Sequence, residues 1–190
     1  MNTYKIILLG NCDVGKSSIT NRYIYDTFRK DIMSTIGASY HTKMIETERG
    51  KFKLNLWDCS GNDRFATLLP MYYRDTNVAL VVYDVTSLVS YNKCQKYIDN
   101  LKIHTDNVLI ILVANKIDLK EREITTKDGE LLANSNNIMY CECSAKLGNG
   151  VVELFDLIVS KLNIKLVQGE TLRDKPIRLD DEVEKTKCCF

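Results

Sequence analysis

Gly10-Asn11-Cys12-Asp13-Val14-Gly15-Lys16-Ser17 is the stretch whose reading decides the fold. Before it, Tyr4 to Leu9 is a short apolar strand; after it, from Lys16 to about Tyr25, the pattern turns helical. A glycine turn between a strand and a helix N-terminus presents converging backbone N–H groups, a nest for anions. The spacing predicts a phosphate cradle formed by Asp13, Val14, Gly15, Lys16, Ser17 and Ser18. Lys16 would add a point charge at the β and γ phosphates, and the Ser17 hydroxyl would ligate Mg²⁺. An ordinary glycine-rich turn is the alternative reading of this one motif.

Three more signatures follow in fixed order: Trp57-Asp58-Cys59-Ser60-Gly61, Asn115-Lys116-Ile117-Asp118 and Ser144-Ala145-Lys146. Each falls where a strand should end. Tyr40 to Thr47 and Phe52 to Trp57 alternate apolar and polar residues, and Glu48-Arg49-Gly50-Lys51 between them reads as a hairpin turn. Val78 to Tyr83 and Val108 to Ala114 are unbroken apolar runs, expected of strands buried on both faces. Ile138 to Cys143 is a weaker sixth strand, and helical stretches lie near 88–103, 126–136 and 151–162. The alternation predicts an α/β fold: a doubly wound, mostly parallel six-stranded sheet with helices on both faces. Ligands of such sheets bind at the carboxyl ends of the strands, where all four signatures stand.

Asn115-Lys116-Ile117-Asp118 chooses the base. The Asp118 carboxylate can accept both the N1–H and the exocyclic amine of guanine, whereas adenine presents the wrong polarity there. A site built on such hydrogen bonds discriminates by about 10⁴ or more, so the expected ligands are GTP and GDP rather than ATP.

The 190 residues, 45% hydrophobic, suffice for one domain with a real core. A net charge of +1 argues neither for nucleic acid nor for an acidic partner, and no nucleic acid is expected. No apolar run reaches the roughly 18 residues of a membrane span, and no secretory signal precedes the first strand. The seven cysteines are expected to be reduced. Cys141 and Cys143 alternate on a strand, as a packing pair or half of a metal site. Residues 1–164 form the expected folded domain and 165–190 a flexible tail. Between 165 and 187 six basic and six acidic side chains cancel, without apolar periodicity. A coil of this length reaches roughly 25–30 Å.

With these motifs the chain resembles the Ras superfamily of small GTPases over residues 4–163. The resemblance implies the P-loop small GTPase fold and GTP hydrolysis with Mg²⁺. It implies that Phe28 stacks on the guanine and that Asn115, Lys116, Asp118, Ser144, Ala145 and Lys146 form the base site, Ala145 through its N–H. Ser17 and Thr35 would ligate Mg²⁺, and Asp58 would hold a metal-bound water. Thr35 and the Gly61 N–H would sense the γ phosphate and release two loops on hydrolysis. Lys16, Gly61 and residue 62 would be the catalytic set.

Ser34-Thr35-Ile36-Gly37-Ala38-Ser39-Tyr40, Leu54-Asn55-Leu56-Trp57-Asp58 and Tyr72-Tyr73-Arg74 are similar to the Rab branch. Pro70-Met71-Tyr72-Tyr73-Arg74 is similar to early-endosomal Rabs. This implies a switch in vesicle traffic on the cytoplasmic face of an endomembrane, endosomes included, cycling with the cytosol. Its partners would be an exchange factor, a GTPase-activating protein, an escort or dissociation-inhibitor protein and GTP-state effectors. Ile36, Tyr40, Trp57 and Tyr72 would form the effector patch, although Trp57 reads equally as a buried sheet residue. Lys187 stands where a Cys-a-a-X box needs its cysteine. Cys188 and Cys189 instead resemble Rab tails that carry two geranylgeranyl groups, and a tail without net charge needs the second lipid as its second anchor.

Four departures stand out. The Rab pattern after Trp57-Asp58 is usually Thr-Ala-Gly-Gln-Glu; here it is Cys59-Ser60-Gly61-Asn62-Asp63. The glutamine orients the attacking water, and Asn62 is one methylene shorter, which predicts slow intrinsic hydrolysis unless the backbone compensates. In the limit the protein is a nucleotide-bound scaffold that recruits effectors and hydrolyses almost nothing. Cys12 and Asp13 stand where Ras has glycines, and Asp75 follows Arg74 where the family more often has glycine.

Overall fold

A computed structural model describes residues 2–47 and 50–173, with side chains to Leu162. The six apolar runs are six strands: β1 (Asn2–Leu9), β2 (Ala38–Thr47), β3 (Gly50–Cys59), β4 (Val78–Asp84), β5 (Leu109–Asn115) and β6 (Met139–Glu142). They form one sheet in the order β2-β3-β1-β4-β5-β6. Only β2 and β3 pair antiparallel, with Thr47 opposite Gly50 across the expected hairpin. The other pairs are parallel, in registers such as Ile6 with Leu56, Ile6 with Val78 and Val82 with Val113. The sheet is the expected one.

Burial explains the uninterrupted runs. Every residue of β4 is buried, and its side chains alternate between two cores. On one face Leu80 and Val82 join Ile6, Leu8, Leu54 and Leu56 beneath helix α1 (Lys16–Tyr25) and helix α6 (Val151–Arg173). Tyr23 of α1 stacks on Phe155 of α6 with centroids 3.6 Å apart. On the other face Ala79, Val81 and Tyr83 pack with Ile7, Leu9 and Leu112 against Ile98 and Leu101. A strand covered on both sides has no polar face, so β4 and β5 lose the period of two. Cys143 lies in the first core and half-buried Cys141 packs against it, so the pair faces one side as expected.

Local structure departs from the periodicity reading in three places. The stretch at 88–103 is two helices, α3 (Leu88–Asn92) and α4 (Cys94–His104), turning at Lys93. Residues 63–73, not read as an element, form a 3-10 helix (Asp63–Leu68) and the short helix α2 (Leu69–Tyr73), with Pro70 in its first turn. A six-residue 3-10 turn is too short to show periodicity. Helix α6 continues to Arg173, past Leu162 and nine residues into the stretch read as a tether. Balanced charge removes the hydrophobic face but breaks no helix, and the next proline is Pro176. Helix α5 (Thr126–Asn136) matches its expectation and opens with a Thr125–Asp128 capping box. Cys188 and Cys189 lie outside the described residues.

Two of the departures from the family have a backbone explanation. Asp13 and Asp75 have φ of 61° and 56°. Both positions need the left-handed conformation that favours glycine, and aspartate is among the residues that enter it most readily.

Candidate functional site

At the carboxyl end of β1 the chain turns through Asp13 and Gly15 into α1. A Cβ at Gly15 would strike Asn115 Nδ2, so only glycine lets the two loops meet. The first turn of α1 has no side-chain cap, which leaves its N–H groups for an anion. Lys16 is 6% exposed, and its Nζ donates to Gly10 O at 2.9 Å and Asn11 O at 2.7 Å. One of the ammonium's three donors is left for a ligand. Burial pushes the Lys16 ammonium down, while Asp58 pulls it back up; phosphate beside it would restore the charged form.

Three elements bring oxygens together beside this loop. Ser17 Oγ donates to Asp58 Oδ2 at 2.5 Å and lies 3.1 Å from Thr35 Oγ1. Thr35 Oγ1 is 3.4 Å from the same carboxylate oxygen. Asp58, at the end of β3, is buried, and its Oδ1 has no hydrogen-bond partner. Burial pushes its carboxyl up, against the pull of Ser17 and Lys16. An all-oxygen donor set with an orphaned buried carboxylate oxygen fits a hard cation of the Mg²⁺ kind.

At the other end of the site the strand ends of β5 and β6 supply the two loops expected to read the base. Asn115 is buried; its Nδ2 donates to Val14 O at 2.8 Å, and its Oδ1 accepts the Ala145 N–H at 3.1 Å. It therefore staples the phosphate loop to both base loops. Asp118 Oδ1 accepts Ser144 Oγ at 2.6 Å, and Lys146 Nζ lies 3.6 Å from its Oδ2. Lys116, left-handed at φ 68°, ion-pairs with Asp84 at 2.6 Å. Burial opposes ionisation of Asp84, but hydrogen bonds from Lys116 and Thr86 prevail and hold its carboxyl below the ordinary range.

One cavity of about 400 Å³ runs between these ends. Asp13, Gly15, Lys16, Ser17, Ser18, Phe28, Thr35, Gly61, Asn62, Asn115, Lys116, Asp118, Ala145 and Lys146 line it. Val14, Asp58 and Ser144 stand behind the wall, buried, and act through Asn115, Ser17 and Asp118 respectively. Arg29, Lys30 and Arg64 also line it. They lie in loop or short-turn segments, where no spacing rule points to a ligand. Asp84 is legible only through Lys116.

Asn62 is placed differently from a free arm. Its Oδ1 accepts the Arg64 N–H at 3.1 Å as N-cap of the 3-10 helix. Its neighbour Asp63 pairs with Lys93 at 3.2 Å, and Lys93 reaches Asn11 Oδ1 at the same distance. The aromatic residues of the expected effector patch are contiguous: Tyr40 and Trp57 centroids are 5.2 Å apart, Trp57 and Tyr72 5.8 Å. Trp57 is half-buried, packing partly against the second core, and Ile36 is 75% exposed. The buried-sheet reading of Trp57 therefore holds only in part. Among the described residues no helix is long and apolar enough to cross a membrane.

An uncapped helix N-terminus after a glycine turn, a cluster of oxygens beside it and two further loops at the strand ends of a doubly wound sheet are the architecture of a P-loop nucleotide-binding protein. Residues 5–164 match the Ras family. The chain is 36% identical over 192 residues to the human Ras-related protein Rab-17, covering 98% of this chain and 90% of that relative. It is 36% identical over 191 residues to Ras-related protein RabC of Dictyostelium discoideum, covering 98% and 97%. The chain belongs to the Ras family as a Rab-type small GTPase, an enzyme that hydrolyses GTP to GDP and phosphate.

Proposed function

We propose that this GTPase is a membrane-anchored switch of vesicle traffic with a slow intrinsic timer. The observation that carries the reading is the convergence of Ser17, Thr35 and Asp58 at one end of a cavity whose other end holds Asp118 and Ala145. Lys16 and the uncapped turn of α1 bind the phosphates, and Phe28 stacks on the base. Asp118 reads the guanine N1–H and amine, held at the right angle by Ser144. Ser17 and Thr35 would hold Mg²⁺, with Asp58 behind them, and the ion would supply positive charge beside the phosphates. Thr35 and Gly61 belong to two loops that close on the γ phosphate and let go after hydrolysis.

The slow timer rests on Asn62. Its carboxamide oxygen is held by the Arg64 N–H, so swinging the group toward a water costs this protein its cap. The tail beyond the folded domain carries geranylgeranyl groups on Cys188 and Cys189 and holds the protein on the cytoplasmic face of an endomembrane, endosomes included. There Ile36, Tyr40, Trp57 and Tyr72 meet effectors, while exchange, activating and escort proteins drive the cycle.

Asp118→Asn tests the base site. An amide replaces one carboxylate acceptor with an N–H donor, which suits the 2-oxo group of xanthine, so preference should move from GDP toward xanthosine diphosphate by about tenfold or more. Loss of GDP binding without a gain for xanthosine diphosphate would refute the assignment.

A further inference from the structure

The last turn of α1 carries a side chain that belongs to none of the nucleotide signatures. Arg22 Nε donates to Ala145 O at 3.0 Å, and its Nη2 donates to Lys146 O at 2.8 Å. Its Nη1 donates to Asp26 Oδ1 at 2.9 Å and Asp26 O at 3.0 Å. A guanidinium is a rigid planar fork, so one side chain spans two successive carbonyls of the base loop and the end of its own helix. From the other direction Asn115 Oδ1 takes the Ala145 N–H. The Ala145 peptide is gripped at both its N–H and its C=O.

Elsewhere the loop is tied to Asp118, which accepts from Ser144 Oγ and faces Lys146 Nζ, and its remaining bonds are its own. Ser144 N and Gly148 N bond within the loop, to Asn149 O at 2.8 Å and Ser144 O at 2.7 Å. Lys146 and Leu147 are exposed. The Arg22 side chain is 17% exposed, while that of Asp26 is 92% exposed. The Arg22 Nε bond to Ala145 O is therefore the partly shielded one, while the Nη2 bond to Lys146 O and the ion pair with Asp26 face solvent. Because α1 begins at Lys16, the helix that binds phosphate at one end holds the base loop at the other.

We propose that Arg22 is a positioning residue for the guanine nucleotide: by holding the Ala145 and Lys146 carbonyls it sets how long the nucleotide stays and how strongly guanine is preferred. The proposal rests on residues 144–146 being the base loop. Arg22 acts through that loop and touches no part of the nucleotide.

The test uses the full chain, unsubstituted and as Arg22→Met, Arg22→Lys and Asp26→Gly. Glycine suits position 26, where φ is 51°. Release of a fluorescent GDP and the ratio of GDP to ADP affinity are measured for each. Arg22→Met should release GDP about tenfold faster or more and lower the ratio about tenfold, because two charge-assisted bonds to the base loop are lost. Arg22→Lys should fall between, since an ammonium lacks the fork. Asp26→Gly should stay within about threefold of the unsubstituted chain, having lost only an exposed ion pair.

A general loosening of the fold weakens phosphate-driven binding of both nucleotides alike and leaves their ratio unchanged. That outcome overturns the proposal, as does Asp26→Gly matching Arg22→Met. So does release from Arg22→Met within about twofold of the unsubstituted chain, less than one lost bond predicts. If Arg22→Met fails to fold, Arg22→Lys decides: release as slow as the unsubstituted chain overturns it, and faster release with a lowered ratio supports it. An unsubstituted chain without preference for GDP over ADP would overturn the base-site reading itself, and this proposal with it.

Discussion

Asn62→Gln is expected to speed GTP hydrolysis by about tenfold to twentyfold, a balance of two effects. The gain comes from reach. A glutamine is one methylene longer, and correcting a misplacement of about 1 Å is worth on the order of 10²-fold in rate. The loss comes from the cap. Asn62 Oδ1 holds the Arg64 N–H at 3.1 Å, and the bond anchors the 3-10 helix over Asp63–Leu68. Glutamine is a poor N-cap, and losing such a cap costs about 1 kcal/mol. At about 1.4 kcal/mol per decade, that loosening returns about fivefold of the gain. The Asp63–Lys93–Asn11 tie remains in the variant and limits further fraying. The assay is single-turnover phosphate release from Mg²⁺·GTP-loaded protein, with and without the substitution. Equal rates would refute the reasoning, because the backbone would then already place the water without the longer arm.

Gly61→Ala should lower affinity for a non-hydrolysable GTP analogue relative to GDP by about tenfold or more, since a Cβ there strikes the Asn11 carbonyl and Cys12 N and packed backbone yields little; equilibrium titration of both nucleotides checks it. Burial pushes the Glu142 carboxyl up, but hydrogen bonds from Arg122, Tyr140 and Thr126 outweigh it and hold it below its ordinary 4.5. A depressed carboxylate stabilises the fold above the unfolded-state value and loses that contribution as pH falls through the folded one. Urea unfolding of Glu142→Gln should therefore show a shallower loss of stability below pH 4.5 than the unsubstituted protein; parallel curves would refute this. Asp75→Gly should raise stability by about 0.5–1 kcal/mol by relieving a left-handed residue, seen as a higher urea midpoint at unchanged slope.

The architecture was legible because it is written in short-range terms. Apolar runs such as Val78 to Tyr83, punctuated by turn and loop residues, are local properties, and they specify six strands and most of the helices. The signatures are equally local: a glycine turn between a strand and a helix suits an anion, and the guanine chemistry proposed for Asp118 lies in its own carboxylate. Even the capping contact of Asn62 is local, closing on Arg64 two residues on.

What only the tertiary structure decided are the partnerships between residues far apart in the chain. Arg22 meets Ala145 across 123 residues, and Asn115 reaches Val14 across 101. Ser17, Thr35 and Asp58 are a set only because α1, a loop and the end of β3 arrive at one point. Strand order and the crossing of α1 over the sheet determine which loops become neighbours. A hydrogen bond needs its partners within about 3 Å, and no local pattern in a sequence encodes a distance of that kind between segments the fold has yet to bring together.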